Sequence, residues 1–150
     1  MITPISIIIL VKEVSTKGCK LWMQERVENG PLRGFLEFPG GKIEEGETPK
    51  DCAIREFSEE CSVELSHVEQ FKMNSFDYND RSVCLFSFFS RGDDKSPSGG
   101  AWFDFQFDSK SLPYKDKLLE ANYEIVDDFL NYLKKHVDAG FLENIWVRTS

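Results

Sequence analysis

The chain has 150 residues, of which 41% are hydrophobic and 13% aromatic, enough for one globular domain over residues 1–150 with a buried core. Its net charge of −8 argues against a duplex nucleic acid as the main partner, since such a partner requires a basic surface. A small phosphorylated ligand remains compatible with this charge, because a bound metal ion can mask local negative charge.

The first part of the chain predicts strands. The apolar run Ile5–Val11 is too short to span a membrane, and it lacks the preceding positive charges of a signal peptide. We therefore expect a buried first strand and no membrane partner. The strands predicted here are Ile5–Val14, Lys20–Gln24 and the short extended segment Leu36–Phe38, which Pro39 ends.

A helix is predicted from Pro49 onward. Thr48 is a favourable N-cap residue, and proline is well tolerated at the first helical position. Ala53, Phe57 and Cys61 follow at a spacing of four residues, which is typical of the buried stripe of an amphipathic helix.

The rest of the chain predicts further strands and a second helix. An almost continuous apolar stretch within the second of these strands indicates a central position in a sheet. A polar, glycine- and serine-rich loop precedes the last strand, and the tail Phe141–Val147 is apolar enough to pack back. The predicted elements are strands over Val63–Phe76, Ser82–Ser90 and Trp102–Phe107, and a helix over Glu120–Val137 that Gly140 ends.

Three carboxylates in the first helix carry most of the functional information. Glu56, Glu59 and Glu60 lie at positions i, i+3 and i+4, so a helix brings them to one neighbourhood. Like charges packed together destabilise a helix unless a cation neutralises them, and a hard divalent ion such as Mg²⁺ prefers oxygen ligands. With Arg55 beside them and Glu47 before the helix, we predict a metal site that handles phosphate.

The spacing of these residues resembles the signature of the Nudix family. That signature runs from a glycine to a glutamate, then to arginine-glutamate and a pair of glutamates, and it ends on a glycine followed by an aliphatic residue. The matching positions are Gly41, Glu47, Arg55-Glu56, Glu59-Glu60 and Val63. A solvated acidic helix face would not explain Pro39-Gly40-Gly41 at the same offset.

Two positions depart from the signature. Phe57 is aromatic where the family has an aliphatic residue, and Ser62 replaces the glycine. We expect Ser62 to end the helix without a positive φ. The resemblance implies an α+β Nudix fold, in which a mixed β-sheet is sandwiched between α-helices.

The resemblance also implies the roles of the acidic residues. Glu56, Glu59 and Glu60, together with the carbonyl of Gly40, would hold Mg²⁺ or Mn²⁺. Glu56 would act as the general base or purely as a ligand. Arg55 would orient the carboxylates, with Glu47 as its partner.

The segment around the signature is similar to the narrower MutT-like branch. Its members cleave nucleoside triphosphates, such as oxidised guanine nucleotides, to the monophosphate and pyrophosphate. By this resemblance Arg26 contacts phosphate, Phe38 and Arg81 lie near the base, and Asn122 reads the purine edge through its amide. The alternatives are two surface arginines and, for Asn122, an ordinary helix cap.

One feature of the branch is missing. A loop glutamate that assists the metal site in the family corresponds to Ala101 in this chain. Either the helix glutamates suffice, or Asp93, Asp94 or Asp104 substitutes for it.

Other functions remain open at this stage. The first alternative is a Nudix hydrolase with another substrate, namely a pyrimidine triphosphate, a nucleotide sugar or an RNA 5′-triphosphate. It stays open because the choice of substrate depends on loops. A non-catalytic nucleotide-binding Nudix domain is the other. The four cysteines show no metal-ligand spacing, so we interpret them as small hydrophobic residues in a reducing cytosol.

Overall fold

The structure is a computed structural model that describes residues 2–27, 29–108 and 113–140, so the predicted tail Phe141–Val147 lies outside the described residues. The strands are β1 (Ile2–Lys12), β2 (Gly18–Glu25), β3 (Leu36–Glu37), β4 (Gly40–Lys42), β5 (Glu69–Asp77), β6 (Ser82–Arg91) and β7 (Ala101–Gln106). The helices are α1 (Pro49–Cys61) and α2 (Glu120–Asp138), and one 3₁₀ turn covers Lys115–Lys117.

The seven strands form a mixed sheet. Its order is β3-β2-β1-β6-β5, while β4 pairs with β1 and β7 pairs with β2. The pairing of β1 with β6 is parallel and runs from Ile2 opposite Ser82 to Val11 opposite Arg91, whereas the other pairings are antiparallel. The central position predicted for β6 is confirmed.

The two faces of the sheet carry one helix each. Alternate residues of β1 point to opposite faces. Ile8 packs with Phe57 of α1 on one face, and Ile9 packs with Phe129 of α2 on the other. The mixed sheet between two helices confirms the predicted architecture. Neither helix in the described ranges combines the length and the apolar character needed to cross a membrane.

Helix α1 begins as its sequence predicts. The Thr48 hydroxyl accepts a hydrogen bond from the Asp51 backbone N–H at 3.0 Å, and Pro49 opens the first turn. The side chains of Phe57 and Cys61, on the inner face of the helix, are fully buried. The aromatic Phe57 is therefore accommodated in the core between α1 and the sheet.

Two predicted strands had wrong boundaries. The first strand is Ile2–Lys12, not Ile5–Val14, because its pairing with β6 already begins at Ile2. The predicted strand Val63–Phe76 begins only at Glu69. The segment before it lacks strand pairing and instead buries Leu65 and Val68 against the α1 side of the sheet.

The cysteines of the described residues are free. Burial raises the pKa of the Cys19 thiol to about 12, and burial raises the pKa of Cys52 and of Cys61 to about 11. Thiols in this state remain protonated at neutral pH and fill space as small apolar side chains.

The conformation expected of Ser62 was wrong. Ser62 has φ 59° and ψ 30°, which is the left-handed conformation. Its N–H still donates to the Ser58 carbonyl at 3.0 Å, so the residue closes the last turn of α1. The next loop fits against this end, since the Ser98 N–H donates to the Cys61 carbonyl at 2.9 Å.

Ser62→Gly should stabilise the protein. A left-handed conformation costs an L-residue about 1 kcal/mol, and glycine avoids this cost while losing more chain entropy on folding. We expect the free energy of unfolding in urea to rise by at most about 1 kcal/mol. Ser66→Gly is the matched control, because Ser66 has no positive φ and should gain nothing. A loss above roughly 1 kcal/mol for Ser62→Gly would show that its hydroxyl makes a needed hydrogen bond.

Candidate active site

A polar cleft lies where the end of β2 meets β3 and the last turns of α1. Its volume is about 300 Å³. The side chains around it are mainly charged or amide groups from these three elements. The lining residues are Gln24, Glu25, Arg26, Val27, Glu37, Glu60 and Gly99.

The β4 glycines bring the backbone close to the carboxylates of α1. The Gly40 N–H donates to Glu60 Oε2 at 3.0 Å. A Cβ atom on Gly41 would lie 2.5 Å from the carboxyl carbon of Glu56, so the end of the Glu56 side chain would have to move. Glycine at this position therefore lets the Glu56 carboxylate lie against the strand.

Arg55 joins the loop before α1 to the carboxylates of the helix. Its Nε donates to Glu47 Oε2 at 2.6 Å and its Nη2 to Glu47 Oε1 at 3.0 Å, which is a two-pronged ion pair. Its Nη1 donates to Glu56 at 3.0 Å and reaches Glu59 at 3.3 Å. The guanidinium thus orients Glu56 while it holds the Glu47 loop against the helix.

Glu47 is a strongly stabilised carboxylate. Hydrogen bonds from the Arg55 side chain, and then from the Glu44 backbone N–H, lower the pKa of Glu47 from 4.5 to about 2. A carboxyl whose pKa falls on folding contributes stability above its unfolded pKa and loses that contribution as the pH falls toward its folded pKa. The relevant window therefore runs from about pH 4.5 down to about pH 2.

Glu47→Gln should remove this pH-dependent stabilisation. At pH 7 we expect the variant to be less stable than the wild type in urea unfolding. The difference between the two proteins should shrink as the pH falls from 5 toward 3, because the unfolded wild-type chain then takes up a proton at Glu47 whereas the folded protein, with its lowered pKa, does so only at lower pH. A difference that stays constant over this range would contradict the ion pair with Arg55.

Glu60 is the half-buried carboxylate of the cleft. Burial raises its pKa, and the charges of Glu56 and Glu37 raise it further, whereas hydrogen bonds from Gln24 and Gly40 oppose the rise. The Gln24 amide donates to Glu60 Oε1 at 2.6 Å. Closely spaced carboxylates of this kind are stabilised by a cation.

The donor set fits a hard divalent cation, because carboxylates and a backbone carbonyl supply only oxygen. Glu56 lies against Gly41, so its carboxylate is close to the strand that carries Gly40. Within the described ranges, however, no three acidic, histidine or cysteine side chains converge closely enough to hold a metal ion. Glu59 is exposed and drawn toward Arg55, so it would have to turn away from this partner to join the others.

Only some of the residues predicted to bind the substrate line the cleft. Arg26 lines the cleft, and its Nη1 lies 3.1 Å from Glu37 Oε2. Phe38 and Asn122 are buried, with 4% and 7% of their surface exposed. Arg81 is exposed in the turn between β5 and β6, outside the lining of the cleft.

Asn122 is not the cap of its helix. Leu119 occupies the N-cap position, and Asn122 lies in the first turn of α2. Its Nδ2 donates to the Leu36 carbonyl at 3.4 Å, which ties α2 to β3. The N-cap alternative for Asn122 is therefore wrong, and its amide lies on the strand that leads to Phe38.

The candidate substitutes for a carboxylate at Ala101 have other partners. Ala101 opens β7 opposite Met23. Asp93 pairs with Arg91 at 2.9 Å, Asp94 with Lys95 at 3.9 Å, and Asp104 lies 4.0 Å from Lys20. Asp93 and Asp94 border a separate cavity of about 410 Å³, beside the segment that precedes β5. Despite its greater volume, that cavity is lined by none of the predicted nucleotide-binding residues and by neither Gly40 nor the glutamates of α1.

Sequence patterns did not predict the parts played by Gln24 and Gly99. Gln24 lies two residues before Arg26, so the alternation of a strand could have placed both side chains on one face. Gly99 has φ 84°, and a Cβ there would lie 2.8 Å from the Glu60 carbonyl. This close approach of two segments far apart in the chain leaves no local signal.

Comparisons with known proteins identify the family of the chain. The NUDIX domain family matches residues 3–129. The chain is 32% identical over 78 residues to an 8-oxo-dGTP diphosphatase of Escherichia coli (strain K12), which covers 52% of this chain and 60% of that protein. It is 33% identical over 76 residues to an 8-oxo-dGTP diphosphatase of Proteus vulgaris, covering 51% of this chain and 67% of that protein. The match thus spans less than two thirds of the Escherichia coli relative.

Solved structures share the fold at lower identity. A MutT/nudix family protein from Enterococcus faecalis superposes with a TM-score of 0.69 at 18% identity, over 92% of this chain and 63% of that chain. A MutT NUDIX hydrolase from Burkholderia pseudomallei gives a TM-score of 0.64 at 16% identity, over 85% of this chain and 97% of that chain. These two similarities concern the arrangement of the backbone.

Proposed function

Because the chain belongs to the Nudix family, we propose that it is a metal-dependent hydrolase that cleaves a nucleoside triphosphate to the monophosphate and pyrophosphate. The observation that carries this proposal is the meeting of Glu56 and Glu60 with the Gly40-Gly41 strand. There the half-buried Glu60 and the partly buried Glu56 supply oxygen donors beside a cleft that contains Arg26.

Glu56, Glu59, Glu60 and the Gly40 carbonyl would hold the cation, Mg²⁺ or Mn²⁺. When bound, such an ion withdraws charge from phosphate oxygens and acidifies water. Arg26 would bind the phosphates from the β2 side of the cleft. Its present ion pair with Glu37 keeps its guanidinium at the cleft wall.

Glu56 is our candidate for the general base. Arg55 donates to only one of its oxygens, Oε1, at 3.0 Å, so no such bond from Arg55 occupies Oε2. In this role Glu56 would take the proton of the attacking water while Arg55 and Glu47 keep the carboxylate oriented. The alternative is that Glu56 serves purely as a ligand. No covalent intermediate is needed, because the work consists of positioning and of charge neutralisation.

An oxidised purine nucleotide such as 8-oxo-dGTP is the proposed substrate. Two matched relatives carry the name 8-oxo-dGTP diphosphatase. Phe38 follows β3 directly, and Asn122 donates to the Leu36 carbonyl of that strand, so an apolar ring and an amide would receive the purine there. Arg81 would approach from the turn between β5 and β6, where its carbonyl accepts a hydrogen bond from the Tyr78 N–H at 2.8 Å.

A nucleotide-binding domain without catalysis is the second candidate. Ala101 favours it, because that position supplies no carboxylate and the neighbouring aspartates are paired elsewhere. The two candidates differ in turnover, so one experiment separates them.

A hydrolysis screen with product identification tests the proposal. Nucleoside triphosphates, including 8-oxo-dGTP, CTP and a 5′-triphosphate RNA, and a nucleotide sugar would be incubated with Mg²⁺ or Mn²⁺. We expect a monophosphate and pyrophosphate from an oxidised purine triphosphate. Binding without turnover of any diphosphate-containing compound would support the non-catalytic domain instead.

A further inference from the structure

Gln24 is a neutral side chain in direct contact with a proposed metal ligand. Its amide nitrogen Nε2 donates a hydrogen bond to Glu60 Oε1 at 2.6 Å, although the two residues are 36 positions apart in the sequence. The Gly40 N–H occupies the other oxygen, Oε2, at 3.0 Å. Each oxygen of this carboxylate therefore accepts one hydrogen bond from a different strand.

These two donors determine the direction of the Glu60 carboxylate. A carboxylate on a flexible side chain can rotate, but donors on both oxygens restrict its plane. Gly99 adds a third constraint, since its backbone lies against the Glu60 carbonyl and leaves no room for a Cβ. Glu60 is thus held by its side chain and its backbone at once.

We propose that Gln24 is a positioning residue that orients Glu60 for divalent cation binding. This inference rests on the proposed function, because it takes Glu60 to be a metal ligand. Groups that hydrogen-bond to metal ligands raise metal affinity by fixing ligand orientation, and their removal typically weakens binding about 10- to 100-fold. Gln24 supplies such a donor without adding a second charge to the crowded carboxylates.

Gln24→Met tests this role, since methionine keeps the length of the side chain and removes the donor. Binding of Mn²⁺ to the protein without nucleotide would be followed by electron paramagnetic resonance of the free ion. We expect the dissociation constant to rise about tenfold. In hydrolysis, the Mn²⁺ concentration for half activation should rise similarly, while excess Mn²⁺ should restore kcat. A loss of packing alone would not be rescued by the ion.

Two further variants keep the test decisive. Gln24→Asn retains the amide but shortens it, so it should weaken Mn²⁺ binding in the same direction and replaces Gln24→Met if that variant fails to fold. Gln70→Met, at an exposed position on β5, is the matched control and should bind Mn²⁺ as the wild type does. In a Glu60→Gln background, Gln24→Met should cause no additional loss of affinity.

The outcomes separate this inference from the proposed function. If the wild type binds Mn²⁺ and folded Gln24 variants bind it equally well, Gln24 has no positioning role. An equal loss with and without the Glu60 carboxylate would also overturn the inference. If the wild type neither binds Mn²⁺ nor hydrolyses a nucleotide, the proposed function fails and the inference falls with it.

Discussion

Glu56→Gln and Glu60→Gln should each retain the fold and lose hydrolysis by orders of magnitude. Glutamine preserves the size of the side chain, so the apolar face of α1 and its buried Phe57 should be unaffected. The change removes a negative charge where a cation is proposed to bind, and at Glu56 it also removes the candidate base. Initial rates with saturating Mg²⁺, together with circular dichroism of each variant, provide the measurement.

Glu64→Gln is the matched control for these variants. Glu64 is exposed just beyond the end of α1, so its charge should not matter for turnover. Near-wild-type turnover of both Glu56→Gln and Glu60→Gln would sink the assignment of the metal site. A loss confined to Glu60→Gln would instead show that Glu56 is not the base.

Asn122→Ala should lower kcat/KM for the preferred purine triphosphate by roughly ten- to a hundredfold. Asn122 is buried beside β3. If it reads the purine edge as proposed, removing its amide would leave a polar group of the purine without a partner. A buried polar group left unpaired costs about 1–3 kcal/mol, which corresponds to this range. Hydrolysis of a pyrimidine triphosphate should scarcely change.

The comparison requires wild type and Asn122→Ala on 8-oxo-dGTP, dGTP and CTP. Asn131→Ala, at an exposed position of the same helix, controls for a general effect on α2. Asn122 also donates to the Leu36 carbonyl, so thermal melts should accompany the kinetics. An equal loss on all three nucleotides would mean that Asn122 only ties α2 to β3, and the purine assignment would then be abandoned.

Local patterns in the sequence were sufficient for α1 and for its buried face. Thr48 and Pro49 mark the beginning of the helix because capping depends on neighbouring backbone groups. The spacing from Ala53 to Cys61 predicts its buried face, since this face follows from helical periodicity alone. The same periodicity brings Glu56 and Glu60 to one side of the helix, so the sequence alone indicated the candidate site.

Only the tertiary structure decided how that site is held. The late beginning of β5 and the contacts of Gln24 and Gly99 with Glu60 depend on segments far apart in the chain. Pairing between distant strands sets where each strand begins. A residue such as Gln24 acquires its partner only when β2 and α1 meet, because nothing in its own neighbourhood specifies a carboxylate 36 residues away.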